Sequence, residues 1–205
     1  MKISVLNFPY DLEQELFPYD SVNFPKGLTV LVSRNGSGKT TLINRIEEVI
    51  SKRKGYKLIK FNNYAEGGDT ALSIELFHGN METASYMWCA SEGERIYVNM
   101  GKIVQKIGHA AKEMLAESKK GKLVVLLDAI DSGLDVSNIA EMKDVFKMIQ
   151  KDFEDNGNEI YIIASANEYE MANGERCLDV TTGKFINFDS YDEYRDFILA
   201  QSEKR

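Results

Sequence analysis

The stretch Ser33-Arg34-Asn35-Gly36-Ser37-Gly38-Lys39-Thr40-Thr41 lies between the apolar run GLTVLV of residues 27–32 and a segment carrying Leu42, Ile43, Ile46, Val49 and Ile50 on one helical face. The run predicts a short buried strand, and the spacing predicts a helix over residues 39–53 that ends at Gly55. A glycine-rich turn between strand and helix, closed by Lys-Thr, is the setting a phosphate-binding loop requires. Glycines let successive backbone N–H groups turn inward around phosphates, and the helix N-terminus adds its positive end. Asn35, Gly36, Ser37, Gly38, Lys39, Thr40 and Thr41 are therefore the candidate nucleotide-binding residues. Lys39 would reach the β- and γ-phosphates as a point charge, and Thr40 would place its hydroxyl on Mg²⁺. The full pattern begins with glycine, where this chain has Ser33; serine fits that turn if its φ stays negative. The competing reading is a glycine-rich turn before an ordinary helix. Strand, loop, Lys-Thr and helix standing in register favour the phosphate loop.

Outward from this loop, strands and helices alternate. Residues 3–8 read as an opening strand, 56–61 (YKLIKF) and 71–78 as further strands, and 62–69 (NNYAEGGD) as a loop. A long helix is predicted over 94–117, followed by a strand at 122–127 (KLVVLL) whose unbroken apolar run suits an interior parallel position. Residues 136–153 carry a helical stripe of Ile139, Met142, Val145, Phe146 and Ile149, and 159–164 (EIYIIA) form the next buried strand. A hairpin around Thr182-Gly183 and a last helix from about Tyr191 complete the order. Such alternation predicts an α/β fold with a mostly parallel central sheet flanked by helices. No repeat, low-complexity tract or linker divides residues 1–205, so a single domain is expected, able to bury roughly 70% of its unfolded surface.

Composition narrows the function. The chain has 205 residues, 43% hydrophobic and 28% charged, with a net charge of −7. That balance argues against sequence-independent binding to nucleic acid by the chain as a whole. Two local basic strips, Lys52–Lys54 with Lys57 and Lys60, and Lys119, Lys120 and Lys122, fall where helix C-termini are expected; the helix dipole accounts for them. Cys89 and Cys177 are the only cysteines and His78 and His109 the only histidines, which leaves no disulfide framework and no zinc spacing. No apolar run reaches the ~20 residues of a membrane span, and the N-terminus turns acidic too soon for a signal peptide. A soluble, cytoplasmic protein is the expectation.

Two more stretches carry chemistry: Ser91-Glu92-Gly93-Glu94, and Leu126-Leu127-Asp128-Ala129-Ile130-Asp131-Ser132-Gly133-Leu134-Asp135. With the phosphate loop before them, the chain resembles the ABC-type ATPases over about residues 1–188. Ser91–Glu94 is similar to the core of that superfamily's signature, and Ser132–Asp135 to the D-loop that follows its magnesium aspartate. The resemblance implies an ABC-type P-loop fold with an antiparallel N-terminal strand region. It implies ATP as ligand and Mg²⁺ as cofactor, with Asp128 holding Mg²⁺ through water and Ser91 and Gly93 forming a second anion site. It also implies an ATP-dependent homodimer, two copies closing head to tail on two nucleotides. The short stretch between Lys39 and Ser91 has no room for a coiled-coil arm and little for a helical subdomain, so the chain is similar to compact heads such as those of phages and mobile elements. A transporter subunit, which needs a membrane partner, fits less well. A DNA-linked role or an unidentified protein partner rests on the family alone.

The chain departs from this family at the groups that activate water. Where the family carries a glutamate after its aspartate, this chain has Ala129, which can neither accept a proton nor position water. Asp131 is the nearest replacement acid, with Asp135 beyond it. The family's switch histidine falls in the region of Ser165, Ala166 and Asn167, where Asn167 or Ser165 could sense the γ-phosphate by hydrogen bonding. The loop that usually carries a glutamine offers Glu66 as magnesium ligand or general base, against a solvated acidic turn. Tyr10 or Tyr19 could stack on adenine; core packing explains either equally well. Slow hydrolysis and a non-hydrolysing, ATP-dependent dimerisation or docking switch are therefore both open.

Overall fold

The apolar run Gly27–Val32 is buried along its whole length and forms β3 at the heart of a six-stranded sheet. The computed structural model describes residues 1–5, 17–63, 92–116 and 121–201. In chain order the elements are β1 (Lys2–Ser4), β2 (Ser21–Asn23), β3, α1 (Lys39–Ser51), β4 (Tyr56–Asn62), α2 (Glu92–Ala116), β5 (Lys122–Asp128), α3 (Val136–Asp155), β6 (Glu159–Ser165), α4 (Tyr169–Ala172), β7 (Cys177–Asp179), β8 (Lys184–Ile186) and α5 (Tyr191–Ala200). The large sheet runs β4-β5-β6-β3-β7-β8, parallel throughout except for β8. β1 and β2 form a separate antiparallel pair, with Ile3 opposite Val22. The fold is thus mixed α/β, a mostly parallel sheet between helices with an antiparallel pair at the N-terminus.

Alternation along the inner strands decides which helix covers which face. Leu123, Val125 and Leu127 of β5 face one core, with Ile103 and Ile107 of α2 and Ile139, Met142 and Phe146 of α3. Val124 and Leu126 face the other, with Leu42, Ile43, Ile46 and Ile50 of α1 and Ile3 and Val22 of the antiparallel pair. Burial on both faces explains the unbroken apolar runs. The C-terminal ends of β3, β4, β5 and β6 consequently meet at one edge of the sheet, where parallel α/β folds place their ligands.

Several details differ from expectation. Helix α1 stops at Ser51, just after its last buried residue, Ile50; Gly55, at φ 83°, instead makes the turn into β4. The basic strip after α1 is split: Lys52 is the C-cap of α1, whereas Lys57 and Lys60 do not sit on a helix terminus. Lys57 and Lys60 lie on β4 and pair with Glu113 at 2.8 Å and Glu47 at 2.5 Å, while Lys52 pairs with Glu48 at 2.7 Å. Neutralisation by carboxylates accounts for Lys57 and Lys60, while Lys52 has both a carboxylate and the helix C-terminus beside it. Strands β1 and β8 are only three residues long, and β2 and α4 lack the periodicity that would announce them. The proposed strand at 71–78, with Tyr10, Glu66, Cys89 and Ser91, lies outside the described residues.

Candidate nucleotide site

β3 delivers the chain into the glycine-rich loop at Ser33. Gly36 and Gly38 adopt φ 79° and 96°, a region that L-residues enter only with strain, which is why glycine is needed at both. Ser33 keeps a negative φ and is 3% exposed, so serine is accommodated where the pattern has glycine. Gly38 is the N-cap of α1, and neither a capping side chain nor an acidic residue stands at that helix start. Helices α3 and α5 contrast with it, since Asp135 and Ser190 cap them with side-chain oxygens. The first turn of α1 thus has no side-chain cap on its N–H groups, an arrangement that could accept an anion. Lys39, the first residue of that turn, folds over the loop and donates from Nζ to the Ser33 carbonyl at 2.7 Å and to Asn35 Oδ1 at 3.4 Å. Burial pushes its pKa down, and Asp131 and Asp128 nearby push it back up. The lysine therefore stands in the field of both acids.

Asp128 ends β5 and is 1% exposed. Its carboxylate is held by the neighbouring strands on either side. Ser165 at the end of β6 donates to Oδ1 at 2.5 Å, and Asn62 at the end of β4, directly opposite in the register, donates to Oδ2 at 3.1 Å. Two donors leave lone pairs on each oxygen for a hydrated cation. Among the described residues no cluster of three or more His, Cys, Asp or Glu could hold a metal alone. Mg²⁺ needs none, because it keeps waters and phosphate oxygens and takes only one or two protein ligands. The exposed Thr40 hydroxyl in the first turn of α1 and the Asp128 carboxylate are hard oxygen donors that suit it.

The turn after β5 is built differently from what its acids suggest. Ala129 takes φ 53° and is 4% exposed, with its N–H donated to Ser165 Oγ at 2.8 Å. Asp131, 1% exposed, accepts from the backbone N–H groups of Asn167 and Glu168, both at 2.6 Å, through Oδ2. Burial raises its pKa, and these two N–H groups oppose that. Its carboxylate joins the turn after β5 to the loop after β6. Asn167, at the start of that loop, borders a cavity of about 250 Å³ together with Ser33, Arg34 and Asn35 of the phosphate loop and Tyr194 of α5. Asp135 belongs to neither group, since it caps α3 and is bonded to Ser137 and to the Asn138 N–H.

Lys39, Asp128, Asp131, Asn167 and the glycine-rich loop thus converge on one edge of the sheet. Gly93 lies in the first turn of α2. The sequence alone does not point to Asn62 or to the clamping role of Ser165; the one local signal is that each ends or directly follows an apolar run. Tyr19 has its hydroxyl on the Val180 carbonyl at 2.8 Å and its ring against Gly183, as a packing residue would.

No protein-family model and no curated protein matches the chain. Among the solved structures that resemble it, two are similar at low identity. One is a chain in the complex of HORMA, CdnC and Trip13 from E. coli MS115-1, 15% identical, with a TM-score of 0.42. That match covers 87% of this chain but only 54% of the other, so the chain spans about half the length of that relative. The second is the ATP-binding cassette MJ0796, in a dimeric post-hydrolysis state bound to ADP and Pi. It is 14% identical, with a TM-score of 0.42, over 93% of this chain and 97% of that one. Likenesses this distant do not decide a function, which rests on the residues of the site.

Proposed function

We propose that the chain binds ATP with Mg²⁺ at residues 33–41, and that two copies close head to tail over two nucleotides and hydrolyse them slowly. The observation that carries the reading is the convergence of an uncapped α1 N-terminus, glycines at φ 79° and 96°, and Lys39 in the field of Asp128 and Asp131. In this reading Lys39 and the first-turn N–H groups bind the β- and γ-phosphates, Thr40 and Asp128 hold Mg²⁺, and Asn167 senses the γ-phosphate. Bound there, Mg²⁺ would neutralise charge developing on the phosphoryl oxygens. Ser91 and Gly93 of the second copy would complete the anion site, and Glu66 is the remaining candidate to orient water. Phosphoryl transfer needs mainly positioning and charge neutralisation, so slow turnover is compatible with Ala129.

A non-hydrolysing switch is the second reading, and one observation favours it. Ala129 is buried in a left-handed conformation, and the Oδ2 of Asp131, the nearest acid, is committed to backbone N–H groups. Calorimetric titration with Mg-ATP, light-scattering mass and phosphate release, each run beside Lys39→Ala, separate the possibilities. Binding, a doubled mass and slow release, all lost in the variant, support the first reading. Binding and doubling without release support the second. No binding by the wild-type chain overturns both.

A further inference from the structure

The backbone of Asn167 is gripped from two sides. Its N–H donates to Asp131 at 2.6 Å, and its carbonyl accepts the Tyr194 hydroxyl at 2.8 Å. Tyr194 belongs to α5 and is 6% exposed, its ring packed edge-on against Phe188 at 5.1 Å between centroids. Burial and the nearby Asp131 both push its pKa upward, so the hydroxyl remains a donor at neutral pH. The same helix reaches the phosphate loop at its other end. Gln201, its C-cap, accepts the Arg34 N–H at 3.0 Å through Oε1 and donates to Asp179 at 3.3 Å through Nε2. Tyr194 and Gln201 are roughly 10 Å apart along the helix axis. α5 therefore spans from the loop after β6 to the loop after β3, and it walls the cavity between them.

Packing alone would not produce this pattern. Phe188, Tyr194 and Phe197 already anchor α5 to the core, and that anchoring asks for no polar bond to either loop. Both bonds go instead to backbone groups of the two segments between which a terminal phosphate would lie. We propose that α5 is a strut fixing the separation of the phosphate loop and the Asn167 loop, with Tyr194 and Gln201 as positioning residues that make the site prefer a nucleoside triphosphate to a diphosphate. The inference rests on the nucleotide-binding reading above. A diphosphate engages the phosphate loop alone, so the strut affects it little. A triphosphate must meet both loops at once, and its affinity depends on their spacing.

The test compares Mg-ADP with the Mg complex of the non-hydrolysable β,γ-imido analogue of ATP, by calorimetry, for the wild-type chain, Tyr194→Phe and Gln201→Ala. Each variant is expected to bind the analogue about fivefold more weakly, the value of one net hydrogen bond, while ADP affinity stays within about twofold. Equal losses for both nucleotides, or a lower melting temperature with an unchanged affinity ratio, would overturn the strut and leave α5 a packing element. No binding of either nucleotide by the wild-type chain would overturn the underlying reading as well. Binding by the wild type with unaltered variants overturns this inference alone.

Discussion

Ser165 and Asp128 end neighbouring parallel strands, and the serine hydroxyl that donates to the carboxylate at 2.5 Å also accepts the Ala129 N–H at 2.8 Å. One oxygen therefore satisfies a buried charge and a buried backbone donor together. Ser165→Ala leaves the Ala129 N–H without this acceptor and the Asp128 carboxylate with Asn62 at Oδ2 but no donor from β6, and hydrogen bonds to charged groups are worth more than neutral ones. A loss of about 2–4 kcal/mol is expected, read as a lower urea midpoint at unchanged slope. A change below about 1 kcal/mol would mean that solvent or another donor replaces the hydroxyl.

Placing a carboxylate at Ala129 is not expected to create chemistry. Ala129 already carries the Cβ that its φ of 53° penalises, so the cost of Ala129→Glu comes from placing a carboxylate in a position only 4% exposed. The variant is expected to lose at least about 2 kcal/mol of stability and to gain no phosphate release. Faster release from a stably folded Ala129→Glu protein would show that the turn after β5 readily adopts another path.

How far this site can be read from sequence follows from the distances its parts must bridge. The strand, glycine-rich loop and helix around Lys39 were legible because they are contiguous, and each is a local consequence of the residues present. Asp128 was legible because it ends an apolar run. Its partners Asn62 and Ser165 were not, since they meet it only through the order β4-β5-β6, which local periodicity does not encode. Asp131 carried a chemical signal that did not reveal what it touches; the bonds to Asn167 and Glu168 depend on where two separate loops end. Tyr194 and Gln201 were harder still. They sit on an ordinary amphipathic helix, and nothing local says that this helix returns to the phosphate loop.

Acid stability is expected to have a contribution from Glu159, far from the site at the start of β6. The Tyr161 hydroxyl donates to it at 2.7 Å, with Lys122 at 3.2 Å and Lys26 at 3.3 Å, and the tyrosine bond foremost holds its pKa down to about 2. A depressed carboxylate pKa contributes stability above its ordinary value of 4.5, and that contribution fades as the pH falls toward about 2. Glu159→Gln should therefore differ from the wild type near neutral pH and converge with it across that acid window. Urea unfolding at several pH values checks this. A gap that stays constant from neutral pH to about pH 2 would assign the difference to packing.

Lys143 ties α3 to the segment that follows the Asn167 loop. Its side chain is only 6% exposed, and Nζ donates to the carbonyls of Glu170 at 2.7 Å and Asn173 at 2.6 Å. The carboxylates of Glu170 and Glu175 lie 3.9 Å and 3.8 Å away. Lys143→Met keeps most of the volume but removes the charge, leaving two carbonyls at the end of α4 without this donor and Glu175 with only Lys147 at 3.2 Å. Breaking a buried pair from one side costs about 3–5 kcal/mol, and the exposed Lys147 recovers some of it, so a loss of about 3 kcal/mol is expected. Because the bonds fall on residues 170 and 173, the loosening should be local before it is global. Amide exchange should rise first over residues 167–173, which include Asn167, and only later in β5 and β6. Uniform acceleration across the sheet would instead mean that Lys143 supports the whole core, with no special hold on the loop that contains Asn167.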